Sequence, residues 1–290
     1  MSLTIVIIGK NEAKELPHCF SALIAAQLDR YPWIYIDSAS TDNSLAIAQS
    51  QHIPTISLTP PHTPAHARNT GWQQAKTPFV LFVDGDTQIA PTFLSEALSY
   101  FDDPHLAAVD GLLQERHPTT SIYNKVMSPD WHRPYGPTPW CAGNALYRRQ
   151  ALIDTEGFCP TLQAGEEAEL GARLHQQGYT CLHLNTPIGT HHLDMHTLYA
   201  YCHRNARTGY AYAQLFPLFK QQSLHNLAKI SLFSLTPFLP KLLLPLIVTL
   251  IIIKTYRTKS LAYALHCQLQ HFPLFFGQLS FLIPSIKPKK

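Results

Sequence analysis

The chain has 290 residues, a formal net charge of +3, 46% hydrophobic residues and only 14% charged residues. This length suits one large domain, or one domain with an appendage, and the net charge is too small to indicate nucleic-acid binding. Soluble domains usually have about 25% charged residues, so the low charged fraction indicates that part of the chain lies in an apolar environment. The six cysteines form no CxxC pair, which excludes a zinc ribbon or a redox motif of that type.

The N-terminal part alternates short β-rich segments with helical patterns. Strands are predicted at LTIVIIG, WIYIDS, TISL and FVLFVD, and apolar residues at helical spacing follow each of them. Pro91 stands where a first helical turn tolerates proline. This alternation predicts parallel strands joined by right-handed crossovers, which is a doubly wound α/β sheet.

After Asp103 the rhythm loosens. Strands are predicted at AAVDGLL, CAGNALY and TCLHL, joined by longer polar loops, and one helix is predicted from Glu166 to Gln177, ending at Gly178. We therefore expect a catalytic domain over residues 1–222. The pattern within it changes near residue 103, and a further helical stretch is predicted at about 196–220.

Acidic residues stand where the predicted strands end. Ligands of open parallel sheets bind beyond the carboxyl ends of the strands, and Glu12, Asp37, Asp84 and Asp86 all follow strands there. The sequence shows no glycine-rich phosphate loop, so a nucleoside diphosphate would need a divalent cation between carboxylate and phosphate. Asp84 and Asp86 point the same way along an extended segment, and Gly85 lets phosphates approach the backbone. A surface turn after a buried strand is the simpler alternative for a single Asp-Gly pair.

Seven segments, in this order, resemble the family 2 glycosyltransferases, which are enzymes of the GT-A fold. The segments are IIGKNEAKEL, IDSASTDNSLAIA, ARNTGWQQA, FVDGDT, GNALYRRQAL, GEEAELGARLHQQGY and HH, and they run from Leu3 to about His192. The resemblance implies a nucleotide-diphospho-sugar transferase with a Rossmann-like open mixed sheet. It also implies a divalent cation, Mn²⁺ or Mg²⁺, as cofactor. By this resemblance, the domain divides into a nucleotide half at about 1–103, an acceptor half at about 104–195 and an interfacial helix at about 196–220.

The same resemblance implies a donor site. Asp37 resembles the residue that contacts the donor's base, Asp84 would lie near the ribose, and Asp86 would bind the metal. Arg68 resembles the family's basic residue near the nucleotide. The other residues of the expected nucleotide-sugar site are Gly9, Asn11 and Glu12.

The segment GEEAEL resembles the family's acidic pair, whose second acid is the general base for the acceptor hydroxyl. That position is Glu167, where aspartate is usual, and Glu166 is the alternative base. Acids at a helix start are also common because the helix dipole favours them. One base without an evident second nucleophile predicts single displacement with inversion.

Further residues are expected at the metal and acceptor sites. In GTHHLDMH, His191 is the first choice and His192 the second choice of metal ligand, because histidine binds transition-type divalent ions. With 16 histidines in the chain, a surface histidine is a serious alternative. The predicted acceptor-side residues, for which core packing or a solvated helix face are the alternatives, are Trp140, Asn144, Arg204 and Arg207.

Residues 223–290 are predicted to form a hydrophobic, membrane-associating tail. Its two apolar stretches, 227–253 and 261–283, are each about as long as a membrane-spanning helix. Polar residues and prolines interrupt both of them: Pro237, Pro240, Lys241, Pro245, Gln268, Gln270, His271 and Pro273.

Basic residues flank both stretches, at Lys254, Arg257 and Lys259 and at Lys287, Lys289 and Lys290. Any spanning arrangement would place one of these clusters against the positive-inside bias, so helices lying in the membrane interface are favoured over a two-span hairpin. The opening apolar run is too short for a signal peptide, which predicts reduced thiols and a catalytic domain at the cytoplasmic face.

The expected partners are a nucleotide-sugar donor, a glycan or lipid-linked acceptor and the membrane, and no nucleic acid. Two alternatives stay open. One is a nucleotide-sugar-binding protein without turnover, and the other is a metal-dependent nucleotidyltransferase.

Overall fold

The computed structural model describes residues 2–127, 133–235, 240–258 and 260–283. The chain forms two compact units, Met1–Arg116 with Asp130–Leu193 and His117–Pro129 with Asp194–Lys290. The boundary predicted near residue 222 lies within a helix of the second unit. Several residues that entered the tail prediction lie outside the described residues: Pro237, Lys259, Lys287, Lys289 and Lys290.

Within the described residues, the first unit holds a nine-stranded mixed sheet. In chain order the strands are β1 (Leu3–Gly9), β2 (Trp33–Asp37), β3 (Thr55–Ser57), β4 (Phe79–Asp84), β5 (Thr87–Ile89), β6 (Leu106–Glu115), β7 (Gly136–Thr138), β8 (Ala145–Arg148) and β9 (Thr180–His191). Across the sheet their order is β3-β2-β1-β4-β8-β6-β9-β5, and β7 pairs with β9.

Strands β1 to β4 pair in parallel, which confirms the doubly wound half of the prediction. Gly9 pairs with Asp37 and Ile8 pairs with Asp84, so the three strands end at the same level. Strand β8 is antiparallel to β4 and β6, and β6 is parallel to β9. The result is one sheet edge where the predicted acidic residues meet.

In chain order the helices of the described residues are α1 (Leu16–Ala25), α2 (Ser44–Ser50), α3 (Pro64–Gln74), α4 (Phe93–Ser99), α5 (Ile122–Met127), α6 (Arg149–Asp154), α7 (Glu166–Gln176), α8 (Leu198–Gln214), α9 (Phe216–Leu235), α10 (Pro240–Thr258), α11 (Leu261–Leu269) and α12 (His271–Leu282). Helices of the first unit pack on both faces of the sheet. Side chains alternate along a strand, so Ile5 and Ile7 pack toward α1 and α4, whereas Val6 packs toward α3 and α7. Both layers are fully buried, and this rigid core positions the loops at the sheet edge.

The second half of the sheet differs from its prediction in several places. The segment CAGNALY becomes a strand only from Ala145, and the main-chain N–H of Ala142 donates to the carboxylate of Asp110 instead of to a neighbouring strand. Strand β9 runs far beyond TCLHL to His191, with bulges opposite β6 that accommodate Pro187. The short elements β5, β7 and α6 were not predicted, because few residues leave little periodicity to detect.

The second unit consists of α5 and α8 to α12 among the described residues. Helices α8 and α12 touch at backbone level, since a Cβ on Gly209 would lie 1.9 Å from the carbonyl oxygen of Leu274. The first apolar stretch is divided between α9 and α10, and the second between α11 and α12. In the described parts of the chain, none of the helices has both the length and the apolar character that crossing a membrane requires.

Candidate active site

A buried arginine ties the two halves of the sheet edge together. Arg68, on α3, is only 3% exposed. Its Nη2 donates to Asp84 Oδ1 at 3.0 Å, and its Nη1 donates to Glu166 Oε1 at 3.0 Å. Glu167 Oε1 lies 3.7 Å from the same Nη1. One guanidinium therefore joins the end of β4 to the start of α7.

Local sequence explains how these acids come to face Arg68. Gly165 precedes α7 with φ +80°, a left-handed conformation that glycine adopts without strain. Glu166 and Glu167 follow in the first helical turn, where the helix dipole stabilises negative charge. The predicted helix and its acidic start are thus confirmed.

Asn144 and Gly143 hold Asp84 from the other side. The Oδ1 of Asn144 accepts a bond from the Asp84 N–H at 2.8 Å, and its Nδ2 donates to Asp84 Oδ2 at 3.1 Å. A Cβ on Gly143 would lie 2.1 Å from Arg68 Nη2, so any larger residue there would displace the guanidinium. The amide of Asn144, predicted on the acceptor side, is thus engaged with a predicted donor-side residue.

The two neighbouring glutamates differ in exposure. The side chain of Glu166 is 6% exposed, and that of Glu167 is 23% exposed. Burial, reinforced by Glu166 and opposed by Arg68, raises the pKa of Glu167 to about 7. Burial likewise raises the pKa of Asp84, although Arg68 opposes this. Of the pair, Glu167 combines access to a ligand with a pKa near neutrality, and Glu166 acts as the counterion of Arg68.

Asp86 and His191 lie together at the same edge. Thr87 pairs with His191 between β5 and β9, and the Nδ1 of His191 is 3.8 Å from Asp86 Oδ2. His192 instead faces Glu115, with Nδ1 3.7 Å from Oε1. The structure thus places the first-choice histidine, and not the second, beside the predicted metal ligand Asp86.

The chemistry of this edge fits a divalent cation. A carboxylate oxygen and an imidazole nitrogen suit Mn²⁺ and related ions. Burial, then Asp86, then Asp84 raise the pKa of Glu12 to about 8, which reports a concentration of negative charge that a cation would relieve. The donor set and the charge therefore both match the predicted cofactor.

The remaining predicted donor-site residues organise the loops after β1 and β2. Asp37 is 2% exposed, and its carboxylate accepts bonds from Tyr35 Oη at 3.3 Å and from the Ser40 N–H at 2.9 Å. The Oδ1 of Asn11 accepts from the Thr41 N–H at 2.7 Å. A Cβ on Gly9 would lie 2.9 Å from Tyr35 Oη, so a larger residue there would press on the tyrosine hydroxyl.

The sequence model of glycosyl transferase family 2 matches residues 4–156. This chain belongs to that family. Its open mixed sheet has the GT-A fold, as the resemblance implied. Family membership and fold class are both confirmed.

The chain is also similar in sequence to proteins with assigned activities. A poly-β-1,6-N-acetyl-D-glucosamine synthase of Staphylococcus aureus is 25% identical over 195 residues, which is 61% of this chain and 46% of the synthase. This chain therefore spans less than half of that relative's length.

Two solved structures share the fold at low sequence identity. The mannosyltransferase PcManGT from Pyrobaculum calidifontis, in complex with GDP-Man and Mn²⁺, aligns with a TM-score of 0.71 at 19% identity, over 98% of this chain and 87% of that one. The glucosyl-3-phosphoglycerate synthase of Mycobacterium tuberculosis, with Mn²⁺, UDP and glucosyl-3-phosphoglycerate, aligns with a TM-score of 0.56 at 15% identity, over 76% of this chain and 80% of that one.

Sequence reasoning missed one residue of this family 2 site. Arg116 follows β6, and its Nη1 donates to Glu15 Oε2 at 2.6 Å while its Nη2 donates to the carbonyl oxygen of Asp86 at 3.0 Å. It therefore fixes the main chain that carries Asp86. The available signal was its place at the end of a predicted strand, the same signal that singled out the acids.

The other acceptor-side predictions stay predictions. Trp140 is half-buried, and its carbonyl oxygen accepts bonds from Arg133 and Thr138. Arg204 and Arg207 lie on α8 and belong to the second unit.

Proposed function

We propose that this family 2 protein transfers a sugar from a nucleotide-diphospho-sugar to an acceptor hydroxyl, with inversion and with a divalent cation. One observation carries the proposal. Arg68 binds both Asp84, on the donor side, and the Glu166–Glu167 pair, on the side of the base. A single buried guanidinium thus holds the expected donor site and the expected general base next to each other.

Glu167 is the proposed general base. A base works best when its pKa lies near the working pH, and the pKa of Glu167 is raised to about 7. Its partial exposure lets an acceptor hydroxyl reach the carboxylate, while Arg68 and the backbone of α7 fix its position. The hydroxyl gives its proton to Glu167 as it attacks the anomeric carbon, and the nucleoside diphosphate leaves from the opposite face.

Asp86 and His191 would hold the cation, and Arg116 would keep Asp86 in place. When bound, the cation supplies Lewis-acid stabilisation of the leaving diphosphate. Asp84 and Asp37 are proposed to contact the ribose and the base of the donor. Two neighbours of the fold were solved with Mn²⁺, which supports a divalent cation here.

The proposed acceptor is a glycan or a lipid-linked sugar at the cytoplasmic face of a membrane. Support comes from the S. aureus relative, which makes a polysaccharide, and from the second unit, whose helices expose many large apolar side chains. Examples with 40% exposure or more are Leu224, Leu227, Leu244, Ile252, Phe272 and Phe276. Exposed apolar helix faces with basic neighbours bind membrane interfaces. Flotation with anionic vesicles tests this, and protein that never floats would contradict it.

A transfer assay tests the proposed reaction. Purified protein is incubated with Mn²⁺ and either UDP-GlcNAc or GDP-mannose, with and without glycan acceptors, and the released nucleotide is identified. Release of nucleoside diphosphate supports sugar transfer, whereas release of pyrophosphate would indicate a nucleotidyltransferase. The Asp86→Ala variant should lose turnover. If it keeps full turnover in Mn²⁺, the role assigned to Asp86 is wrong.

A further inference from the structure

Another buried carboxylate, Asp110, makes no direct contact with the residues proposed to act on substrate. Asp110, on β6, is fully buried, and three donors from separate elements converge on it. Nδ1 of His183, on β9, lies 2.7 Å from Oδ1, the Ala142 N–H donates to Oδ2 at 2.6 Å, and Arg133 Nη2 bonds to the same oxygen. A carboxylate out of water requires such partners. Arg133 Nη2 also lies 3.3 Å from His183 Nδ1, so Asp110, His183 and Arg133 form one connected network.

These contacts fasten the loop of residues 139–144, which leads into β8. Arg133 Nη1 donates to the carbonyl oxygen of Trp140 at 2.9 Å, and Thr138 Oγ1 donates to the same oxygen at 3.1 Å. On α7, a Cβ at Gly171 would lie 2.3 Å from the carbonyl oxygen of Pro139, so helix and loop are in direct contact. The loop is thus held from Asp110 on one side and from α7 on the other.

The fastened residues run directly into the proposed active site. Ala142 binds Asp110, the next residue Gly143 lies against Arg68, and the next, Asn144, binds Asp84 through both atoms of its amide. A shift of Ala142 would therefore move the groups that orient Asp84 and Arg68. A contiguous chain of contacts therefore leads from Asp110 and His183 to the proposed active site.

We propose that Asp110, with His183 and Arg133 as its partners, is a positioning residue of the transferase. It fixes the loop 139–144 so that Asn144 orients Asp84 and Gly143 accommodates Arg68. The expected effect on kcat rests on the proposed sugar transfer. The expected effect on the position of the loop does not. None of the three residues is proposed to touch the donor or the acceptor.

The test removes one bond and leaves the shape nearly unchanged. His183→Leu deletes the donor to Asp110, and His183→Asn restores an amide nitrogen close to the position of Nδ1. Arg148→Met serves as the control, because Arg148 donates to the carbonyl oxygens of Phe101, Asp103 and Leu106, away from the loop. Two quantities are measured for each folded variant: hydrogen exchange of peptides covering 139–144, and kcat and KM with the nucleotide sugar that the wild type uses.

We expect His183→Leu to speed exchange in the loop and to lower kcat about 10- to 100-fold, the size typical of a misplaced group. The KM for the donor should change much less, and His183→Asn should recover most of kcat. Arg148→Met should leave exchange in the loop and kcat unchanged. If His183→Leu behaves like Arg148→Met in both measurements, the network serves stability alone and the proposal is overturned.

The two proposals fail in different ways. A wild-type protein without turnover of any nucleotide sugar would refute the proposed function, and the exchange measurement would still decide whether His183 and Asp110 hold the loop. Normal wild-type turnover with unaltered kcat in His183→Leu would overturn the positioning role alone.

Discussion

Replacing Arg68 by methionine removes the cation that holds three carboxylates. Methionine keeps most of the side-chain volume, so the loss is chiefly electrostatic. Removing one partner of a buried ion pair costs about 3–5 kcal/mol. Asp84 is 35% exposed and Glu167 23% exposed, so water compensates both in part, and only Glu166, at 6%, stays buried without a partner. We therefore expect the low end, about 3 kcal/mol of lost stability.

Thermal unfolding measures this loss directly. For a domain of this size, about 3 kcal/mol corresponds to a fall in Tm of roughly 6–12 °C. The double variant Arg68→Met/Glu166→Gln should regain part of it, because it removes the buried charge. Glu169→Gln, which breaks the more exposed pair with Arg173 on the same helix, should cost at most about 1 kcal/mol. A Tm of Arg68→Met within 2 °C of wild type, or a double variant less stable than the single one, would refute this account of Arg68.

Three further predictions concern the reaction and its pH dependence. Glu167→Gln should lower kcat roughly 10²–10⁴-fold with little change in donor affinity, whereas Glu166→Gln should lower the Tm. If Glu167→Gln is active and Glu166→Gln is inactive but stable, the roles of the two glutamates are reversed. The pKa values of Glu12 (about 8) and Glu167 (about 7) lie above the ordinary 4.5, so the folded protein binds more protons than the unfolded chain. Its free energy of unfolding should therefore fall between pH 5 and pH 8 without metal, and a Tm that rises over this range would contradict the shifts. Gly143→Ala should lower kcat at least about 10-fold, since its methyl group would meet Arg68; unchanged kinetics would show that Arg68 can move without effect.

The sequence predicted the part of the fold that rests on local patterns. Strands β1, β2 and β4 and helix α7 are apolar or amphipathic segments with clear starts and ends, and they were confirmed, as was the three-residue strand β3. The end of each parallel strand locates the acidic edge without knowledge of the full sheet. That is why Asp84 and Asp86 could be selected from the strand pattern, whereas Glu167 was selected only through the family resemblance of GEEAEL.

The pairing within the site could not be read from the sequence. Arg68 and Glu166 are 98 positions apart, and Asn144 binds an aspartate 60 positions away. Which of two adjacent glutamates is the counterion depends on the direction of each side chain at the start of α7. Asp110 and His183 gave no signal, because a single acid or histidine inside a predicted strand looks like any other polar residue.

The binding of a nucleoside diphosphate tests the central claim most directly, because it requires neither the right sugar nor the right acceptor. The claim is that the acidic edge accepts a diphosphate only through a divalent cation held by Asp86 and His191. Calorimetric titration of UDP and GDP into the wild-type protein should show binding in Mn²⁺ that weakens at least about 10-fold in EDTA, and Asp86→Asn should weaken the binding in Mn²⁺ to a similar degree. Equal affinity with and without metal, or an Asp86→Asn variant that binds like wild type in Mn²⁺, would contradict the account.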